Sequence, residues 1–492
     1  MSMRSAIKMF STEPTWQKAV TRPAREFAPT PLEILGGEIP PGLRGTLYRN
    51  GPARLERGGM RMGHWFDGDG AILAVRFADS PDTGSQATAT YRYVQTTGYQ
   101  AETAAGKLLY GNYGTIAPGP IWWRWTKSVK NAANTSVLAL PDRLLALWEG
   151  GKPHALDLKT LETSGIDDLS GLGKNMNYSA HPKCDSQTGE IFNFGVSAGA
   201  ETNLHLYCSD ATGKIVRQSA FPLDGVPLIH DFVLAGNYLV FFLPPLRLDV
   251  FRALVGLTSF SDGMQWQPQL GTQILVFDRR TLSLVSRQET EPWFQWHFAN
   301  GYATEDGEII VDFVRYRDFT TNQRLKEVAT GCTQTEADGT LWRLRLDGQT
   351  GKVLGTEELL DLPCEFPIVP PQQVGRISPH FYLSMHRPNV DLARELYGAI
   401  ARFDCDSQTL TVADLGENRY PSEPIYAPDA LDADLGWVLT VVYDGNLDRS
   451  EVWVFDSRQL DGEPACRLLL PDVVALGFHG TWKPDVAKSG AI

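Results

Sequence analysis

The chain has 492 residues, 42% of them hydrophobic and 10% aromatic, so it can bury a large core and wholesale disorder is excluded. A formal charge of −13 with no long basic run argues against a nucleic-acid partner. The six cysteines at 184, 208, 332, 364, 405 and 466 form no CxxC pair, the first residues lack an apolar leader core, and no run reaches the roughly 18 apolar residues of a membrane span. These features predict free thiols and a cytoplasmic protein.

Residues 1–30 read as an N-terminal extension that packs on the fold or stays partly disordered. Beyond them, short alternating runs rich in β-branched and aromatic residues succeed one another. In chain order they are LLALWEG, IFNFGVS, YLVFFL, QILVFD, EIIVDFVRY, LWRLRLD, WVLTVVYD and EVWVFD. Helical windows are nearly absent, apart from a turn or two at 391–397. A degenerate repeat runs through the strands: a strand ends at an Asp, a polar turn follows, and a second strand returns. The instances are Asp67 (in FDGDG, read as a hairpin turn), Asp157, Asp210, Asp278, Asp347, Asp404 and Asp456, spaced 52 to 90 residues apart. That is the length of a four-stranded blade plus loops. Seven instances predict an all-β fold, a seven-bladed β-propeller forming one domain over 1–492, with loops and short helices as a cap.

A second series is in register with the first. Glu149, His181, His230, His297, Glu365, Glu423 and His479 lie 32 to 68 residues apart, and the last six each fall 18 to 24 residues after a turn Asp. A near-constant offset predicts one inner-strand position per blade, all facing one axis. Four neutral imidazoles suit iron, copper, nickel or zinc. A six-coordinate ion would keep two open positions, and three carboxylates suit the Nδ1–H groups behind the ligating nitrogens. A structural zinc site needs no such support, which favours iron. The other histidines have simpler readings: His64 and His154 beside turns as backbone partners, His205 out of register, and His380 and His386 structural or exposed.

The motifs GTLYRNGPA, HWFDGDGAI, ANTSV, LLALWEGGKPH, SAHPK, IHDF, WHFANGY, CEFPIVPPQQVGR, SEPIYAP and FHGTW follow one another nearly end to end. In that order they resemble the carotenoid cleavage oxygenases, and LLALWEGG and CEFPIVPPQQVGR resemble the branch acting on apocarotenoids. The resemblance implies Fe(II) on His181, His230, His297 and His479. It implies that Glu149, Glu365 and Glu423 orient three of them, with His181 the exception. It also implies O2-dependent cleavage of a conjugated C=C bond of a carotenoid or apocarotenoid into two carbonyl products of the retinal type, with no catalytic residue beyond the metal centre. Trp148 stands where stilbenoid-cleaving relatives carry a Lys, which counts against stilbenoid cleavage. The same propeller could also serve an isomerising enzyme or a metal-free, non-catalytic scaffold.

Such a substrate needs an apolar path and access to lipid. Trp148, Trp296, Tyr316 and Phe366 neighbour ligand positions and are expected along the tunnel. Trp122, Trp123 and Trp125 in IWWRWTKSVK, and Leu254 in a stripe with Leu246, Val250 and Leu257, are expected to make peripheral membrane contact. No obligate protein partner is evident.

Overall fold

Six of the seven predicted aspartate turns fold alike. Asp157, Asp210, Asp278, Asp347, Asp404 and Asp456 each end or directly follow a strand, and each Oδ1 accepts from a backbone N–H two or three residues on, at 2.7 to 2.9 Å. A short carboxylate satisfies the turn's own donors, so the chain reverses there without a partner elsewhere. The computed structural model describes residues 13–485 apart from 81–83, 125–126 and 200, and in it each of these turns joins the third strand of an antiparallel sheet to the next strand outward.

Seven such sheets close into a ring, numbered here by the order of their innermost strands. Those strands are Ser136–Ala139, Lys183–Cys184, Val233–Ala235, Phe298–Ala303, Cys364–Ile368, Ile425–Pro428 and Gly480–Pro484. Blade 7 is assembled from distant chain segments. Gly480–Pro484 pairs with Gly45–Arg54, and Asp69–Ser80, Gly84–Tyr93 and Phe27–Pro31 follow outward. Glu33–Gly37 extends the rim of blade 6. Within the stretch expected to be an extension, Trp16 is fully buried, and its Nε1 donates to the Arg394 carbonyl at 3.1 Å.

Middle strands are sandwiched between neighbouring blades, which is why YLVFFL is apolar throughout rather than alternating, whereas the outer strand Ile215–Leu223 alternates. Phe192, Phe194, Phe232, Phe241 and Phe277 fill the joint between blades 2 and 3; Phe242, Trp293, Phe298 and Phe313 fill the next. At about 1.5–3 kcal/mol for each buried large side chain, these joints rather than the hairpins hold the ring.

Strand direction sorts the loops. Inner strands start on one face, which also carries every loop between second and third strands, while the aspartate turns lie on the other. The first face bears the cap: Val250–Leu254 and Phe260–Gly263 from blade 3, Thr320–Thr330 from blade 4, and Thr97–Ala105 and Ile121–Arg124 on the crossing from blade 7 to blade 1.

The structure corrects three local expectations. FDGDG is no hairpin: Trp65–Asp67 form one 3-10 turn, and buried Asp67 accepts from Gly114 N at 2.9 Å and Thr115 Oγ1 at 2.5 Å, tying down the cap crossing. Residues 391–397 make a turn, as expected, but the 11-residue helix Thr320–Thr330 was not expected: its apolar stripe is only Leu325, Val328 and Ala329. The Leu246 stripe is broken, because Leu246 is buried in a strand and only Val250, Leu254 and Leu257 are exposed. Of the two readings open for His380 and His386, the structural one fits: His386 is buried and His380 is half-buried, its Nε2 meeting Tyr382 Oη at 3.1 Å.

Candidate metal centre

Because inner strands start on the capped face beside the axis, a side chain at each start points at its counterparts. His181, His230, His297 and His479 stand at the starts of the inner strands of blades 2, 3, 4 and 7, and one ring nitrogen of each lies within 4.8 Å of the others. Glu365 and Glu423 hold the same place in blades 5 and 6. Glu149 does not. It sits in the loop between the second and third strands of blade 1, and Thr135 takes the inner-strand start there. Glu149 is also the one member of the series without the constant offset from a turn Asp, and its loop opens on the same face as the inner-strand starts.

The carboxylates meet the imidazoles from behind. His297 Nδ1 lies 2.5 Å from Glu365 Oε2, His479 Nδ1 lies 2.8 Å from Glu423 Oε1, and His230 Nδ1 faces Glu149 Oε1. His181 has no carboxylate partner among the described residues. An imidazole donating from Nδ1 keeps a lone pair on Nε2. His230 Nε2 and His297 Nε2 are 3.2 Å apart, and His181 Nε2 is 3.0 Å from His230 Nε2. Two acceptors that close repel, and a cation between them turns the repulsion into ligation. The donor set thus fits a divalent ion of the borderline class.

The carboxylates differ in their footing. Glu423 Oε2 accepts from Arg49 Nη1 at 3.2 Å and Gly480 N at 2.9 Å. Glu365 accepts from Tyr316 Oη at 2.8 Å and from Phe366 N at 2.7 Å. A register shift after Glu365 and a left-handed Phe366 (φ 53°) let that N–H turn back and seat the Phe366 ring against His297. Glu149 has no partner but His230 among the described residues, and its side chain is 28% exposed. Burial, then the three other imidazoles, holds His181 far below the usual histidine range. Burial also keeps His479 low against the pull of Glu423, whereas at His297 Glu365 outweighs burial and raises it. Burial works to raise Glu365 and Glu423, but their imidazole partners prevail and hold both low.

Above the histidines lies a cavity of about 520 Å³. Trp148, Trp296, Tyr316 and Phe366 all border it, together with His230, His297, His479, Glu149 and Glu365. Trp296 stands edge-on to His230, 4.9 Å between ring centroids. Phe66, Tyr113, Phe194, Phe478 and Tyr397 also line it and were not expected from the sequence. Two of these carried a signal, since Phe66 sits in HWFDGDGAI and Phe478 in FHGTW, next to His479. At one end Val129, which is exposed, borders the cavity. The same segment carries Trp122 and Trp123, 62% and 59% exposed, and Arg124 Nη1 donates to the Gly256 carbonyl at 2.8 Å beside exposed Phe251, Leu254 and Leu257. Trp125 lies outside the described residues.

His64 takes the role expected of it, accepting from Phe66 N at 3.0 Å through Nδ1; burial pushes its pKa down to about 3.

Fold and site define a class: a seven-bladed propeller with four converging imidazoles beneath a mostly apolar cavity. The chain belongs to the retinal pigment epithelial membrane protein (RPE65) family, whose model matches residues 21–484. It is 33% identical over 466 residues to apocarotenoid-15,15′-oxygenase of Synechocystis sp., covering 92% of each chain. It is 28% identical to resveratrol cleavage oxygenase 1 of Aspergillus fumigatus, covering 92% of this chain and 91% of that one. Identity to isoeugenol monooxygenase of Pseudomonas nitroreducens is also 28%, over 92% of this chain and 94% of that one. The structure of cobalt-substituted Synechocystis ACO superposes with a TM-score of 0.84 at 31% identity, over 96% of this chain and 98% of that one. By name these relatives are oxygenases of apocarotenoids, resveratrol and isoeugenol, and this protein is an oxygenase of the same family.

Proposed function

We propose that the protein is an Fe(II) oxygenase that cleaves a conjugated double bond of an apocarotenoid or carotenoid with O2 to give two carbonyl products. His181, His230, His297 and His479 hold the metal through Nε2, and Glu149, Glu365 and Glu423 fix three of the rings. When bound, the iron supplies the open coordination positions at which O2 is activated. The protein's own part is to orient the imidazoles, seat the polyene against Trp148, Trp296 and Phe366, and exclude water from the reacting bond.

One observation carries the choice of substrate: three of the large polar side chains on the cavity wall, Tyr113, Trp296 and Arg324, are occupied by protein partners. Tyr113 Oη donates to Asn322 Oδ1 at 3.0 Å, Trp296 Nε1 to Thr321 Oγ1 at 3.2 Å, and Arg324 to the carbonyls of Leu392 (2.8 Å) and Glu395 (2.5 Å). Apart from Glu149 and a few amides, the wall left to a ligand is mostly apolar, which suits a polyene better than a phenol. Iron-loaded protein offered apocarotenals, resveratrol and isoeugenol in air, with products separated by chromatography, should turn over the apocarotenals with the highest kcat/KM. Preference for resveratrol would overturn the substrate assignment.

The exposed aromatic and aliphatic side chains near Val129 fit peripheral contact with a bilayer, through which such a substrate arrives. No helix among the described residues is long and apolar enough to cross a membrane. Polar replacement of Trp122, Trp123 and Leu254 together should lower recovery on liposomes several-fold while activity on detergent-dissolved substrate persists; unchanged recovery would refute the contact.

A further inference from the structure

Arg49 is a buried cation just behind the metal centre, and neither the histidine and glutamate spacing nor the aspartate turns point to it. Its side chain is 4% exposed. Nη1 donates to the carboxylate Oε2 of Glu423 at 3.2 Å and to the Glu423 carbonyl at 2.9 Å, and Nη2 donates to the Phe478 carbonyl at 3.0 Å. One planar group therefore grips both members of the Glu423–His479 pair: the carboxylate itself, and the backbone on the two sides where the pair meets. Gly480 makes room for it, since a Cβ at 480 would lie 2.6 Å from Arg49 Cδ and 2.5 Å from the Tyr48 carbonyl. The next residue works in the opposite direction. Asn50 Nδ2 donates to the carbonyls of Ala133 (3.0 Å) and Ser136 (2.9 Å) in blade 1, and its backbone exchanges hydrogen bonds with Phe478 and His479.

The charges around the site add a second argument. With a divalent ion on the four neutral imidazoles, three carboxylates would leave the buried centre one unit negative, and Arg49 brings the total to zero. Glu149 faces the cavity and Glu365 is satisfied by neutral donors, Tyr316 and Phe366 N. Of the three carboxylates, Glu423 alone has a buried cation within salt-bridge distance among the described residues. A lysine could match the charge but not the fork that reaches a carboxylate and two carbonyls together.

We propose that Arg49 is a positioning residue for the metal centre: it holds the Glu423 carboxylate where it orients His479, and so sets metal affinity without touching the metal or substrate. This rests on the ligand set given under Proposed function. Two simpler roles predict different results. If Arg49 acted only as a charge, removing a cation from beside a cation site would tighten metal binding. If it served only the fold, its loss would lower stability and leave affinity alone.

The test is Co(II) titration of the apo-protein, read by the visible absorption of the bound ion, on the wild type, R49M, R49K, E423Q and R49M/E423Q. Thermal unfolding of each metal-free protein is measured in parallel. Positioning predicts weaker binding by about 10- to 100-fold in R49M, with only part of the loss recovered in R49K. It also predicts that R49M adds little on top of E423Q, because both act on one carboxylate. Should R49M fail to fold, R49K against E423Q carries the same comparison. Tighter binding in R49M, unchanged affinity with lowered stability, or full additivity with E423Q would each overturn the inference. Failure of the wild type to bind Co(II) would instead bring down the ligand assignment, and this inference with it.

Discussion

Glu365 and Glu149 both meet a histidine Nδ1, but one is locked and the other is loose. Glu365 is buried and meets His297, Tyr316 and the Phe366 amide; Glu149 has His230 alone and partly faces the cavity. Losing a carboxylate that orients a ligand typically costs 10- to 100-fold in metal affinity. E365Q should therefore fall in that range, E149Q should lose less, and Y316F least, because His297 and the Phe366 amide still hold Glu365. Co(II) titration of the three variants gives the order; Y316F matching E365Q would transfer the orienting role from the carboxylate to the phenol network. The histidines were legible in the sequence because each lies one outer strand and one crossing beyond a turn aspartate, a path of nearly constant length. Glu149 was found by its motif but assigned to the wrong position, since a loop can deliver a carboxylate to the same axis. The role of Arg49 was not legible: its partner lies 374 residues away, and a basic residue inside a strand announces nothing.

Among the elements, strands read well and the cap did not. A strand buried between two blades is a run of apolar residues whatever it pairs with, so IFNFGVS and YLVFFL identify themselves. The helix Thr320–Thr330 buries Thr321, Asn322 and Arg324 along with Val328 and Ala329, so its inward face is largely polar and its apolar period, Leu325, Val328 and Ala329, spans little more than one turn. The crossing that starts at Val94 is held by buried charge as well as by core contacts of Val94, Leu108 and Ala133. Lys130 Nζ lies 2.9 Å from Asp69 Oδ1 and 3.0 Å from Glu102 Oε2, and Arg57 Nη2 lies 2.9 Å from Asp69 Oδ2, all four side chains nearly inaccessible. Removing one partner of such a set leaves carboxylate charge buried and uncompensated, at a cost of about 3–5 kcal/mol. K130M should lose that much in denaturant unfolding, and, because residues 121–130 lead into this anchor, its liposome recovery should drop as well. A loss below about 1 kcal/mol, the scale of an exposed pair, would show that the packing of Thr97–Ala105, not the ion cluster, holds the crossing.

At the scale of the whole ring, the candidate metal site and the ring closure share one strand. Three of the candidate ligands come from the adjacent blades 2, 3 and 4, but His479 rides on Gly480–Pro484, the strand that completes blade 7 against segments from the other end of the chain. Asn50 ties this strand's start to blade 1, and His479 N donates to the Thr135 carbonyl at 3.2 Å. An ion held by all four imidazoles therefore bridges the closure, and whatever loosens the closure weakens its binding by the same linkage. A ligand present at about 100 times its dissociation constant stabilises the native state by roughly 2.7 kcal/mol. N50A should lose stability without metal and should also lose much of the stabilisation that Co(II) confers on the wild type. I400V, which opens a comparable defect in the joint between blades 5 and 6, should lose stability while keeping the full metal-induced gain. Thermal unfolding of the three proteins with and without Co(II) gives both quantities. An equal gain in N50A and I400V would mean that the fourth imidazole is seated by its own blade alone, and that the ring can loosen at its seam without disturbing the site.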